Sequence, residues 1–317
     1  MRLGVLDIGS NTGHLLVVDA HRGAAPLPAY SYKEPLRLAE NLDAEGAVSP
    51  EGIEALTRFV GDALLVAGDK GCEEMLGFAT SAVRDAINSE AVLQHVHDET
   101  GATIDVLSGE DEARLTFLAV RRWFGWSLGR LAVFDIGGGS LEIAVGSDES
   151  PSVAQSLPLG AGRLSRELQQ SGSDEEAVRA LRLRIRADIA RDAGSVLRSG
   201  APDHAVATSK TFRSLARICG APSSDEGSLV RRILPARDLA GRIPTLTKMS
   251  ADELGSLPGV SQSRAHQVVA GALVADAVMD IFGLTDLEIC PWALREGIIL
   301  ERIDQIGIVR GRPSTAR

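Results

Sequence analysis

Two stretches of this chain, LGVLDIGSNTGHLLVV from Leu3 and LAVFDIGGGSLEIAV from Leu131, superimpose with one constant offset of 128 positions. The offset lays Leu3 on Leu131, Val5 on Val133, Asp7 on Asp135, Gly9 on Gly137, Thr12 on Ser140 and Leu15 on Ile143. Repeats of solenoids recur every few tens of residues, so a period this long means two similar domains. In both copies an apolar strand ends in an aspartate, passes through a polar, glycine-containing turn and resumes as a strand.

At 317 residues the chain has room for two such domains, each with its own core. A hydrophobic fraction of 44% and a charged fraction of 24% are those of a globular protein. The formal charge of −10 argues against a general nucleic-acid coat, which needs a broad basic face, though not against a local basic site. No apolar run reaches the roughly 20 residues of a membrane helix. Even VVAGALVADAVMDIFGL is interrupted by Asp276 and Asp280. Met1-Arg2-Leu3 leads straight into a strand without a secretory segment, so the cytoplasm is the expected compartment. Cys72, Cys219 and Cys290 have neither an even count nor metal-ligand spacing and read as small buried residues. His95 and His97 read as a solvated helix surface.

The strands of the opening repeat are followed by a third apolar segment, PLRLAENL, and by Ser49-Pro50-Glu51, a helix start with serine as cap and proline in the first position. Ile53, Leu56, Val60 and Leu64 continue at helical spacing to about Gly68. MLGFATSAV and ATIDVLSG read as strands, SEAVLQHVHDET and SGEDEARLTFLAVRRWF as helices. The second half repeats the order, with strands over 131–146 and 152–157, a charged helix over 174–199, the strand HAVAT and the helix TFRSLARICG. Ser250 and Glu253 form a capping-box signature. The expected division is an N-terminal domain over 1–125, a C-terminal domain over 126–291, a helix over about 292–305 packing back on the first domain, and a frayed tail over 306–317.

A strand-end carboxylate beside a glycine turn suits phosphate chemistry. Glycine lets an anion approach the backbone, successive N–H groups can cradle its oxygens, and the carboxylate can hold a hard cation. One such turn could be an ordinary hairpin; turn geometry does not demand a strand-end aspartate twice. The spacing is neither the Walker loop nor the Rossmann fingerprint.

DIGSNT, SGEDEARL, DIGGGSLE, ATSKT and WALREG, taken in that order, closely resemble the exopolyphosphatase and guanosine-pentaphosphate phosphatase family of the actin, sugar kinase and Hsp70 superfamily. The resemblance runs from Leu3 to about Ile303 and is to the short, two-domain actinobacterial members. It implies an α/β fold of two ribonuclease H-like (actin-like ATPase) domains facing across an interdomain cleft, and metal-assisted attack of water on a terminal phosphoanhydride. It also implies roles. Glu112 matches the catalytic glutamate that activates water, with Glu110 and Asp111 as first-turn neighbours, and Glu142 matches an acidic position that orients water or magnesium. Asp7, Asp135 and Glu142 would anchor Mg²⁺, with Mn²⁺ an alternative; Ser10, Asn11, Thr12, Gly137, Gly138, Gly139 and Ser140 would contact phosphates, and Arg84 would hold the substrate phosphate.

Ser209-Lys210 departs from the family's small Ser-Gly step, and Lys210 with Arg213 favours a polyphosphate track over a nucleoside. For Arg295 and Glu296 the resemblance leaves a structural role and substrate contact both open. The expected activity is release of orthophosphate from inorganic polyphosphate of short chain length. Hydrolysis of guanosine pentaphosphate and a non-hydrolytic polyphosphate or alarmone sensor are the alternatives, with no nucleic-acid or membrane partner and a homodimer left open.

Overall fold

The computed structural model describes residues 1–43 and 45–310, with side chains through residue 306. It divides into two units, residues 1–108 with the helix from Leu294, and Gly109–Ala293.

The first unit contains β1 (Arg2–Ile8), β2 (Thr12–Asp19), β3 (Pro28–Pro35), β4 (Glu74–Ala79) and β5 (Ile104–Val106), with α1 (Pro50–Asp69), α2 (Ser81–Arg84) and α3 (Ser89–Thr100) between them. The sheet order is β3-β2-β1-β4-β5, an antiparallel meander extended by two parallel strands. This is the ribonuclease H-like order. Strand alternation gives the sheet two apolar faces. Leu6, Ile8, Leu15 and Val17 pack toward α1 and α3, whereas Leu3, Val5, Leu16 and Val18 pack with Ile299 and Ile303 of the closing helix. Ser49 caps α1 by accepting from the Gly52 N–H, and Pro50 follows at the first helical position. The third apolar segment, PLRLAENL, lies almost wholly outside the strands. β3 lies just before it and is largely exposed, while Leu36, Leu38 and Ala39 are buried as a loop. An exposed edge strand leaves no hydrophobic alternation for a sequence reading to catch.

The second unit begins with α4 (Gly109–Phe124) and continues through β6 (Leu131–Ile136), β7 (Leu141–Gly146), β8 (Val153–Leu157), α5 (Ala161–Gln170), α6 (Glu175–Asp192), α7 (Gly194–Arg198), β9 (His204–Thr208), α8 (Ser209–Ile218), β10 (Ile233–Pro235), α9 (Ala236–Leu246), α10 (Ala251–Gly255), α11 (Val268–Ile281) and β11 (Asp286–Ile289). Its sheet runs β10-β11-β9-β6-β7-β8, the same meander and two parallel strands with an antiparallel edge added. Phe134, Ile136, Leu141, Ile143 and Val145 face a core shared with α5, α6, α8 and α11. Leu131, Val133, Ala144 and Val206 face Ala113, Phe117 and Val120 of α4. The single charged helix expected over 174–199 breaks at Ala193 into α6 and α7.

The units therefore part between Ser108 and Gly109, not at residues 125 and 126. The apolar stripe of α4 belongs to the second sheet, and the glycines after it form a tight entry to β6 rather than a linker. α12 (Leu294–Arg310) plays the corresponding part on the first sheet. It stays helical past residue 306, where a frayed tail was expected; residues 311–317 of that tail lie outside the described residues.

Candidate active site

Period-2 alternation decides where the strand-end carboxylates go. Asp7 has the parity of Leu3 and Val5, so it lies on the face covered by α12; Asp135 has the parity of Leu131 and Val133, so it lies on the face covered by α4. Their cross-strand partners fall on the same faces. Asp7 pairs with His14, and Asp135 pairs with Glu142.

The two turns are built alike. The Gly9 N–H donates to the Thr12 carbonyl at 3.1 Å, and the Gly137 N–H donates to the Ser140 carbonyl at 2.9 Å. In each copy the chain after the third strand ties down turn carbonyls. Leu36 and Arg37 donate to the Asn11 carbonyl and Ala39 to that of Ser10; Ala161 donates to the Gly137 carbonyl and Arg163 to that of Gly138. These hydrogen bonds fix each turn to the segment that follows the third strand of its sheet.

Gly160 makes the second buttress: a Cβ there would lie 2.3 Å from the Gly139 carbonyl carbon and the Ser140 nitrogen. Both are backbone atoms, so the turn itself would have to move. Gly160→Ala is expected to shift the Gly138 to Ser140 turn by about 1 Å and to lower kcat/KM by about 10²-fold. Steady-state kinetics alongside a melting curve checks this, and a fully active Gly160→Ala protein would mean that the turn has slack.

The duplication also reaches further than the two strand-turn-strand stretches. Ala79-Thr80-Ser81 recurs as Ala207-Thr208-Ser209 at the same offset of 128. Both copies end the parallel strand beside the turn. The Ser81 hydroxyl lies 3.2 Å from that of Ser10, while Thr208 is fully buried and donates to the Trp292 carbonyl at 2.9 Å. Ser209 has φ of +79°, a strained conformation for a residue with a side chain.

Glu112 is 6% exposed in the first turn of α4, on the helix that covers the Asp135 and Glu142 face. Glu110 is exposed. Glu142 is also buried, and its Oε1 accepts from the Ser156 hydroxyl at 2.9 Å. Arg84 pairs with the adjacent Asp85 at 3.0 Å and donates to the Leu107 carbonyl at 3.3 Å, tying α2 to the end of β5. Lys210 is exposed at the start of α8 and lines a small pocket with Thr211, Ser214, Arg264 and Gln267. Burial lowers the pKa of Arg264; Arg213 beside it acts in the same direction, and Asp135 opposes both.

Several of these residues escape a sequence reading. Arg264 sits in a short 3-10 helix over 262–267, 129 positions from Asp135, with no motif to announce it. His14 could have been found, because the offset lays it on Glu142.

Burial raises the Asp7 pKa from 3.8 to about 6, with Arg295 opposing the rise and Glu296 adding to it. The native metal-free protein therefore prefers a neutral group at this position. A raised carboxylate pKa costs stability above about pH 6, and the cost is relieved as pH falls through 6 toward 3.8. Asp7→Asn should accordingly melt higher than the parent at pH 8 in EDTA, by up to about 3 kcal/mol. The advantage should vanish near pH 4. Equal melting at both pH values would show that Asp7 is not strained by desolvation.

A sequence model of the Ppx/GppA phosphatase family matches residues 17–306. The chain belongs to that family. Exopolyphosphatase 1 of Mycobacterium tuberculosis is 54% identical over 305 residues, which are 96% of this chain and 89% of the relative. Exopolyphosphatase 1 of Mycobacterium leprae is 51% identical over 96% of this chain and 90% of its own length. Among solved structures, an exopolyphosphatase from Cytophaga hutchinsonii superimposes with a TM-score of 0.85 at 20% identity, over 96% of this chain and 98% of that one. A family member from Aquifex aeolicus gives 0.79 at 22% identity, over 96% and 98%. Family membership agrees with the resemblance read from the motifs, and the structural likeness extends it to the fold. Among the described residues, no helix is long and apolar enough to cross a membrane.

The donor chemistry at the two turns fits a hard divalent cation. Mg²⁺ takes one or two carboxylates and completes its shell with water and phosphate oxygens. Asp135 and Glu142, cross-strand neighbours on one sheet face, would offer such a pair of carboxylates, and Asp7 is the corresponding carboxylate of the first unit. Among the described residues no cluster of three or more His, Cys, Asp or Glu side chains could hold a metal by itself. Phosphate oxygens and water would have to complete the shell.

Proposed function

We propose that this protein is an exopolyphosphatase that hydrolyses the terminal phosphoanhydride of short inorganic polyphosphate and releases orthophosphate. The observation that carries the reading is the convergence, on one face of the second sheet, of Asp135, Glu142 and the helix bearing Glu112, next to a glycine turn whose carbonyls are tied down. The name that the mycobacterial relatives bear agrees with it.

In this mechanism the N–H groups of Gly138, Gly139 and Ser140, and of Ser10, Asn11 and Thr12 in the first unit, receive phosphate oxygens. Arg84 and Lys210 add positive charge to the path of the chain. Glu112 accepts a proton from the attacking water as its oxygen bonds to the terminal phosphorus, and the departing chain carries the negative charge of the broken anhydride. Glu142, oriented by Ser156, holds that water or the cation in line. A divalent ion at Asp135 and Glu142, with Asp7 as the corresponding anchor of the first unit, would neutralise charge on the phosphate oxygens. Phosphoryl transfer needs little beyond this alignment and neutralisation.

Polyphosphate suits the cation distribution. The chain carries a net charge of −10, yet Arg264, Arg213 and Lys210 gather near Asp135 and α8. Such concentration against an acidic background is what attracts a polyanion locally.

The test is orthophosphate release with Mg²⁺ from tripolyphosphate, long-chain polyphosphate, guanosine pentaphosphate and ATP, compared side by side. Fastest release from tripolyphosphate supports the reading. Fastest release from guanosine pentaphosphate transfers it to the alarmone, and binding without release makes the protein a sensor.

A further inference from the structure

The two units use one architecture with different charged groups. In each, the aspartate at the strand end has a buried cross-strand neighbour, and a serine hydroxyl of the third strand engages that neighbour: His14 with Ser31 at 2.8 Å, Glu142 with Ser156 at 2.9 Å. In each, a helix covers that face and brings charged residues in its first turn, Glu112 on α4 and Arg295 on α12. At these positions the second copy carries glutamates, whereas the first sets a histidine and an arginine beside Asp7 and Glu296.

Arg295 is not closed onto Asp7. Its Nε stands 3.7 Å from Asp7 Oδ2, close enough for attraction and too far for a hydrogen bond. Its Nη1 lies 3.3 Å from His14 Nε2. The same Nε2 stands 2.8 Å from the Ser31 hydroxyl, so the imidazole edge is held between strand β3 and the guanidinium. Among the described residues, the guanidinium makes this one hydrogen bond, although the side chain is only 22% exposed. The remaining donors of a planar fork are left over beside the Asp7 turn. A carboxylate at position 14, as at 142, would take those donors and cancel the charge; an imidazole with one ring nitrogen at 3.3 Å positions the fork and leaves its other donors over.

We propose that Arg295 is the cationic arm of the first turn, donating to a phosphate of the bound chain, and that His14 is its positioning residue. The proposal rests on the polyphosphate reading given above. Arg295 is carried on α12, whose Ile299 and Ile303 are anchored in the first sheet, so the arm has a fixed shoulder. Bidentate donation from a half-buried guanidinium is a strong and geometrically selective way to hold a phosphate.

The test is calorimetric titration of tripolyphosphate into the metal-free full chain in EDTA, where no turnover complicates binding. Arg295→Gln is expected to weaken binding by about tenfold or more, and Arg295→Lys to recover part of the loss, since it restores charge without the fork. His14→Leu is expected to weaken binding several-fold, and His14→Gln, whose amide oxygen can accept from Arg295, to recover most of it. Melting curves of all four variants separate misfolding from lost contacts. Arg295→Gln that binds within twofold of the parent overturns the assignment of Arg295. Normal binding by a folded His14→Leu overturns the role of His14. A parent protein that binds no tripolyphosphate defeats the substrate reading itself, a failure visible before any variant is made.

Discussion

Replacing Glu112 by glutamine is expected to lower kcat for orthophosphate release by about 10²–10⁴-fold, while tripolyphosphate binding stays within about twofold. The size follows from the role. A positioned general base is worth that much when the attacking group is water, and glutamine keeps the shape while losing the proton acceptor. Placement supports the role: Glu112 is 6% exposed, whereas Glu110, two residues earlier in the same turn, is exposed. Glu110→Gln and Asp111→Asn, subject to the same helix end, are expected to change kcat by less than about threefold. Rapid-quench or coupled phosphate assays with Mg²⁺ would measure all three. A Glu112→Gln enzyme with parental kcat removes Glu112 from the mechanism and sends the search for the base to Glu142.

The contrast between residues 7–12 and residues 36–39 shows what the sequence could and could not disclose. The duplicated strand-turn-strand was legible because strands buried on both faces are written as continuous apolar runs, and an aspartate ending one is conspicuous. What holds the turn was not legible. Leu36, Arg37 and Ala39 act through backbone N–H groups, which any residue type supplies, so no side chain marks the buttress. Gly160 is an intermediate case. It is visible as a glycine, but its reason, a backbone passing too close for a Cβ, exists only in three dimensions. The boundary between the units fails for another reason. Glycines at 125 and 129 look like a linker from local composition, while the true partners of α4 are strands that come later in the chain. The charge contrast between His14 and Glu142 was available from the offset of 128; its meaning depends on Arg295, which lies 281 positions from His14 and meets it only through the packing of α12.

Arg121 makes that misread segment a site of large mutational effect. It is 0% exposed and, among the described residues, one of the largest fully buried side chains. Its guanidinium donates to the carbonyls of Gly125, Gly129 and Gly146 at 3.2, 2.8 and 3.0 Å, joining the end of α4, the entry to β6 and the end of β7. Burial lowers its pKa, with the charge of Asp148 opposing. Two effects compete in Arg121→Met. Removing a desolvated charge is favourable, and a volume-matched apolar residue can offset much of a buried ion's loss. Against that, three carbonyls lose a donor in a place where water has little access, at about 1–3 kcal/mol for each one left unpaired. The carbonyls win because they come from three separate segments that no single apolar side chain can satisfy. Arg121→Met is expected to destabilise the protein by about 2–4 kcal/mol, a fall in Tm of roughly 5–15 °C for a unit of this size. Arg121→Lys should fall nearly as far, because one ammonium cannot span carbonyls presented in three directions. Since β6 ends at Asp135, activity should decline below the melting transition as the strand loosens from α4, and hydrogen exchange at residues 131–136 should rise first. An Arg121→Met protein that melts with the parent would show that the desolvation of the charge equals what its three hydrogen bonds return.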